Sequence, residues 1–409
     1  MTGSLPRVFA RARLSGADDL VDLVVADGRF EQIRPSGGAV GLDDVVDLGG
    51  ALVVPGLVEA HIHLEKAFLL DRLPRDPSTL AEAIAMTTEL KAGFTRADMR
   101  SRALRLIRGS VEYGVTALRA HVEVDDVLAL RAIETMLELR EELAGVVGLQ
   151  VVAFPQDGLT SQRHARRLLE EAVALGVDVI GGIPYADDSA TEHLDLVFAA
   201  AERSGLPIDL HIDLTDDPSR LDVVAAAERT IAAGMQDRVT VGHLTSLGSV
   251  EPVAALEVAD LIARAGISVV TLPGTDAFLG GRGDDHAPRR GLTPVRMLLE
   301  AGVNVAVATN NVQNAFTPFG RGRVLDAALL LATLGHFGSA QDAGTVVDMV
   351  TGRAAQAIGL TDYGLTAGAW ADFAVFDAVG VRDLLGSADR PWLVVKGGRP
   401  VGPGSVVAA

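Results

Sequence analysis

Two histidines one residue apart, His61-Ile62-His63, carry the strongest chemical signal in the chain. They end the apolar run LVEAHIH, which reads as a β-strand. Residues i and i+2 of a strand project to one face, so both imidazoles enter the same space. Convergent neutral imidazoles suit Zn²⁺ or Fe²⁺, or can move protons themselves. Later apolar runs also end in polar residues. These are His121 and Glu123, Gln156 and Asp157, Tyr185, His211 and Asp213, His243, Thr275 and Asp276, and Asn310 and Asn311. Cysteine is absent, which excludes disulfides, thiolate metal sites and a cysteine nucleophile.

Eight runs would position these side chains, at 57–63, 116–124, 148–156, 177–184, 207–213, 239–244, 268–273 and 304–310. Helical periodicity fills the gaps, as in 127–145 and 159–175. In the first of these, Leu128, Ala132, Met136 and Leu139 recur every three or four residues, the spacing of one buried helical face. Eight strands, each followed by a helix, predict an α/β protein with a (β/α)8 TIM barrel, whose active sites lie at the C-terminal strand ends. The rival, an open doubly wound sheet, lacks a GxGxxG turn after its first strand. Residues 1–54 and 365–409 instead show short alternating strands with Gly and Asp-Gly turns. They read as one small β-sandwich domain formed by both termini, with the barrel at 55–364 inserted between them.

Of the 409 residues, 48% are hydrophobic and 22% charged, enough to bury a large core. Lys and Arg number 36 against 54 Asp and Glu, a net charge of −18, which disfavours nucleic-acid or anionic-membrane partners. Lysine occurs only at Lys66, Lys91 and Lys396. The N-terminus has no secretory apolar region and no run of about 18 apolar residues occurs, so a soluble cytoplasmic protein is expected. His164, His193 and His336 read as surface or packing residues, whereas His286 lies in a loop that could reach a substrate. Arg282, Arg289 and Arg290 could hold an acidic substrate or neutralise Asp284 and Asp285.

Several segments, in order, resemble the cytosine deaminase branch of the amidohydrolase superfamily over essentially the whole chain. They are VVPGLVEAHIHLEKAF, TALRAHVEVDD, LQVVAFPQDG, GGIPYADD, IDLHIDLTDDP, RVTVGHLTSL, RRGLTPVRMLLEAGVNVAVATNN, FTPFG and GLTAGAWADFAVFD. The resemblance implies a distorted (β/α)8 barrel with a β-sandwich, a small-molecule substrate and a homo-oligomer. It also implies one divalent metal, zinc or iron, that activates water to hydrolyse an exocyclic amino group or a ring amide. By that resemblance His61, His63 and His211 are the metal ligands, His243 contacts the attacking water, and Gln156 recognises the ring edge. Lys66 and Asp213 also match the family pattern.

Other positions depart from it. The family's acid/base glutamate is here Leu214, its strand-eight aspartate is Asn310, and a later Asp-Pro is Asn314-Ala315. Tyr185 and Gly280 stand where related chains often carry His and Gln. Leu214 cannot carry a proton, and a neutral Asn310 holds a cation less well than a carboxylate. The expectation is a weakened or absent metal and non-standard chemistry run by His243, His211 and Asp213. Gln156, Lys66, Glu123, Tyr185, Asn310 and Asn311 would then contact the substrate. One alternative is conventional hydrolysis with Asp213, Glu65, Glu123 or Asp276 as substitute carboxylate. The other is a non-catalytic binding or regulatory homologue.

Overall fold

The computed structural model describes residues 7–17, 19–37 and 44–406; residues 1–6, 18, 38–43 and 407–409 lie outside it. The N-terminal segment forms β1 (Arg7–Leu14), β2 (Leu20–Ala26), β3 (Arg29–Pro35), β4 (Val45–Asp47) and β5 (Leu52–Pro55). Asp27 and Gly28 join β2 to β3 with φ of 50° and 78°. That is the two-residue hairpin turn an Asp-Gly pair favours. The C-terminal segment adds β14 (Phe373–Phe376), β15 (Leu393–Lys396) and β16 (Arg399–Val401). Together they make one mixed sheet in the order β16-β15-β14-β5-β1-β2-β3, with β4 also on β1. Its core gathers Phe9, Leu23, Phe30, Val53, Phe373 and Val395. The helix Val381–Ser387 leaves this sheet, and its Leu384 and Leu385 pack into the core of the barrel helices.

Between the two segments run β6 (Leu57–Ile62), β7 (Val115–Glu123), β8 (Gly148–Phe154), β9 (Val179–Gly182), β10 (Ile208–Ile212), β11 (Val239–His243), β12 (Ser268–Thr271) and β13 (Val305–Val307). All eight lie within or one residue from the runs read from the sequence. They pair in parallel in chain order, and a bridge from Ile62 to Asn310 draws the last strand end back to the first. The fold is thus a distorted TIM barrel beside a sheet made by both termini. Strands buried on both faces explain the near-continuous apolar runs.

The crossovers carry α1 (Leu80–Lys91), α2 (Arg96–Glu112), α3 (Arg131–Leu143), α4 (Ala165–Ala174), α5 (Ala190–Ser204), α6 (Asp222–Ala232), α7 (Pro252–Arg264) and α8 (Pro273–Leu279). Helix α3 starts later than its periodicity suggests. Asp125 Oδ1 accepts the amides of Val127 and Leu128, each at 2.7 Å, and folds them into a turn first. No helix of the described residues is long and apolar enough to cross a membrane.

Candidate active site

The inner face of β7 reads Arg119, His121, Glu123 at period two and leads from the barrel interior towards the mouth. Arg119 Nη1 donates to Asp209 Oδ2 at 2.8 Å, and Asp209 Oδ1 lies 3.2 Å from His121 Nε2. His121 in turn stacks on His61, with centroids 3.8 Å apart. Above this base three ring nitrogens meet. His211 Nε2 is 3.0 Å from His61 Nε2 and 3.1 Å from His63 Nε2. His63 donates its Nδ1 proton to the His121 carbonyl at 3.0 Å, which leaves its Nε2 as a lone pair. His61, His121 and His211 also bring one ring nitrogen each within 4.8 Å of one another. Four imidazoles therefore form one buried cluster.

Burial lowers the pKa of His61, His63 and His211 well below the usual value; the neighbouring imidazoles add to the effect, as does Lys66 for His61 and His63. Burial also lowers that of His121, against the pull of Asp209. The rings are consequently neutral near pH 7. His61 Nδ1, His211 Nδ1 and His121 Nδ1 are buried without a hydrogen-bond partner. One shared proton cannot satisfy three converging nitrogens, whereas a cation accepts all their lone pairs. Zn–N bonds of about 2.0–2.1 Å place tetrahedral neighbours about 3.3 Å apart, close to the spacing here. The donor set fits a divalent metal. Close approach at β11 makes this packing feasible, because a Cβ on Gly242 would lie 2.9 Å from His61 Cε1.

Beside the histidines, Lys66 Nζ donates to Glu123 Oε1 and to Gln156 Oε1, both at 2.8 Å. Glu123 Oε2 is 2.7 Å from Lys91 Nζ, which also binds Asp125 at 2.9 Å and Asp157 at 2.7 Å. Burial works against the Lys91 charge, but the three carboxylates outweigh it and hold the ammonium firmly protonated. Burial likewise opposes the Glu123 carboxylate, and the two lysines keep it ionised. Glu65 is buried with neither oxygen hydrogen-bonded, and burial raises its pKa. Lys396, half-buried, bonds Asp372 at 2.6 Å, so each of the three lysines is paired with a carboxylate.

On the far side, His243 Nδ1 donates to Asp276 Oδ1 at 2.7 Å. Its Nε2 is left for the cavity that His243 lines. Burial raises the pKa of Asp276, against the pull of His243. Asp213 faces elsewhere. Its two oxygens accept the amides of Asp222 at 2.8 Å and Val223 at 3.1 Å, capping α6, and burial pushes its pKa up to about 7. His243, Asp213 and Asn310 all have positive φ, at 74°, 52° and 61°. Such rarely populated backbone gathers at functional sites.

The cavity encloses about 20 Å³, roughly one water, and is lined by His63, Lys66, Gln156, Tyr185, His211, Leu214, His243, Thr275, Asn310 and Asn311. Leu80 and Ile84 of α1, Leu279 of α8, and Phe316 complete the lining, and such apolar side chains must give way before a ring can enter so small a space. Among the described residues no carboxylate lines it. Glu123 and Asp213 are buried outside the lining, and His286 and the three loop arginines stay outside too. Arg289 pairs with Asp284, while Arg282 and Arg290 bind backbone carbonyls. His193 is neither surface nor simple packing. It joins Asp187 to the Ile183 amide at 2.7 and 2.9 Å, and Asp187 accepts the amides of Leu159 and Ser161, which ties the loop after β8 to the one after β9.

Sequence reasoning assigned no role to His121, Lys91 or the Asn314 side chain. The period-two run Arg119, His121, Glu123 held the signal for the first. Lys91 gave none, because a lysine ending an amphipathic helix looks solvated.

The amidohydrolase family model matches residues 44–402, and the chain belongs to that family. It is similar to the N-isopropylammelide isopropyl amidohydrolase of Pseudomonas sp. (strain ADP), with 28% identity over the full length of both chains. The pterin deaminase of Rhizobium rhizogenes is 29% identical, over 93% of this chain and 87% of that one. The crystal structure of 5-methylcytosine deaminase from Klebsiella pneumoniae liganded with 5-fluorocytosine superimposes with a TM-score of 0.92 at 30% identity, covering 96% of this chain and 97% of that one.

Proposed function

We propose that this chain is an enzyme that transforms a small oxo-substituted nitrogen heterocycle, with His243 as its proton carrier. The observation that carries the reading is the lining of the cavity. It joins heterocycle-binding donors on Lys66 and Gln156 to converging imidazoles and to a histidine backed by a buried aspartate. The similar proteins named above act, by their names, on ring compounds of this kind.

His61, His63 and His211 are the residues that would hold a divalent metal, zinc or iron. When bound there, such an ion supplies Lewis acidity and makes water nucleophilic near neutral pH. Without a strand-eight carboxylate the ion is held more weakly. The chain's own residues do the rest. Lys66 and Gln156 fix the ring edge, Leu214 and Phe316 exclude water, and His243 Nε2 accepts a proton while Asp276 steadies the imidazolium. Standard deamination must deliver protons to both the ring nitrogen and the leaving nitrogen. With Leu214 in place of a glutamate, only His243 serves both, which favours a reaction needing one proton relay. Conventional hydrolysis remains the second reading, and Asp276, one imidazole from the cavity, is the carboxylate it would use.

Turnover of a panel of oxo-heterocycles, with and without added zinc, tests the proposal. His243→Asn should lower kcat by roughly 10²–10⁴-fold and leave ring binding nearly unchanged. Saturable binding with no turnover by the wild type would favour the non-catalytic homologue instead.

A further inference from the structure

Backbone atoms fix the direction of a chain of three buried asparagines behind the cavity. Asn314 Oδ1 accepts the amides of Phe316 at 3.0 Å and Thr317 at 3.2 Å. Its Nδ2 must therefore face the other way, where it donates to the Lys66 carbonyl at 3.2 Å and to Asn311 Oδ1 at 2.7 Å. Asn311 then has only its Nδ2 to give, and donates it to Asn310 Oδ1 at 2.9 Å. The sense of donation runs from the backbone outward and ends at Asn310, whose Nδ2 is the group left for the cavity. Reversing one amide alone would set donor against donor and leave a buried polar group unsatisfied.

Gln156 is fixed by the same logic. A lysine can only donate, so Gln156 turns its oxygen to Lys66 and keeps its Nε2 for the cavity. Two edges of the pocket, Lys66 with Gln156 and Asn310 after β13, thus offer N–H groups.

We propose that the pocket selects a nitrogen heterocycle presenting acceptors, either oxo groups or deprotonated ring nitrogens, on both of those edges. A poly-oxo ring meets that demand, whereas an exocyclic amino group beside Asn310 sets N–H against N–H. The inference rests on the heterocycle reading above and adds the substrate class. A carboxylate at position 310 would invert the preference, because it can only accept.

Titration calorimetry of the full chain with barbituric acid, a ring anion with three oxo groups, and with cytosine, which carries one oxo and one amino group, provides the test. The wild type should bind barbituric acid at least about ten-fold more tightly, and N310D should abolish or reverse that ratio. Asn311→Leu, which frees Asn310 to turn, should narrow it. Equal or tighter binding of cytosine by the wild type, or a ratio that N310D leaves unchanged, would overturn the inference while the heterocycle reading stands. If neither ring binds at millimolar concentration, the heterocycle reading falls and the inference with it. Thermal melting establishes that N310D is folded, and if it is not, the wild-type ratio decides.

Discussion

The imidazole wall, His61 and His63 at the end of β6 and His211 on β10, turns three Nε2 atoms towards one point with no proton that all three can share. The amide wall, built by the segments after β8 and β13, commits its carbonyl oxygens and keeps N–H groups free. One wall offers lone pairs to something electron-poor, and the other offers protons to something electron-rich. Buried polar atoms are nearly always satisfied, so such a concentration of unpaired ones marks a place where a ligand completes the structure. The two walls need different ligand parts, and a ring with oxo groups beside a divalent ion would supply both.

The largest effect should come from undermining the amide wall. Lys91→Ala leaves Glu123 with Lys66 alone and takes the cation from buried Asp125 and half-buried Asp157, and should cost about 3–5 kcal/mol of unfolding free energy in urea titration. A loss below about 1 kcal/mol would show that this charge cluster does not hold Lys66 and Gln156 in place. The imidazole wall is tested next. We expect the wild type, purified without a histidine tag, to take up one zinc per chain, and His211→Asn to weaken uptake by more than about 100-fold. A wild type that takes up no added zinc would make these histidines acid–base groups and remove the Lewis-acid route.

The smallest effect lies outside both walls and sharpens the contrast. Asp187 is hydrogen-bonded by His193, by Ser161 and by the amides of Leu159 and Ser161. Burial raises its pKa, but these bonds outweigh burial and hold it below the usual carboxylate range. A depressed pKa means that the stabilisation is complete above the unfolded value near 4 and is lost as pH falls towards the folded one. Stability should therefore drop on acidification below about pH 4. Asp187→Asn should cost about 1–3 kcal/mol at pH 7 and flatten that acid limb, as read by urea unfolding across pH. An unaltered pH profile in this variant would assign the acid sensitivity elsewhere.

The barrel was legible because eight apolar runs alternate with helical periodicity, and a strand buried on both faces can hardly look otherwise. His61, His63, His211 and His243 were legible because polar residues at the ends of apolar runs have few structural reasons to be there. The role of Asp213 was not. Its place two residues after His211 suggested the site, yet the backbone turns at φ 52° and sends the carboxylate to the amides of α6. Nor could the sequence show that Asn314 sets the orientation of Asn310, since amide direction depends on which backbone groups happen to lie within reach.

The backbone at Asn310 has a further consequence. A φ of 61° is comfortable for glycine, asparagine and aspartate and awkward for nearly everything else. Two of those three are isosteres of opposite hydrogen-bonding character. Descendants of this scaffold therefore face something close to a two-letter alphabet at the position that sets the polarity of the pocket. Exchanging one letter for the other replaces NH₂ with O⁻ and requires no movement of the chain, so a new substrate preference lies a single conservative substitution away.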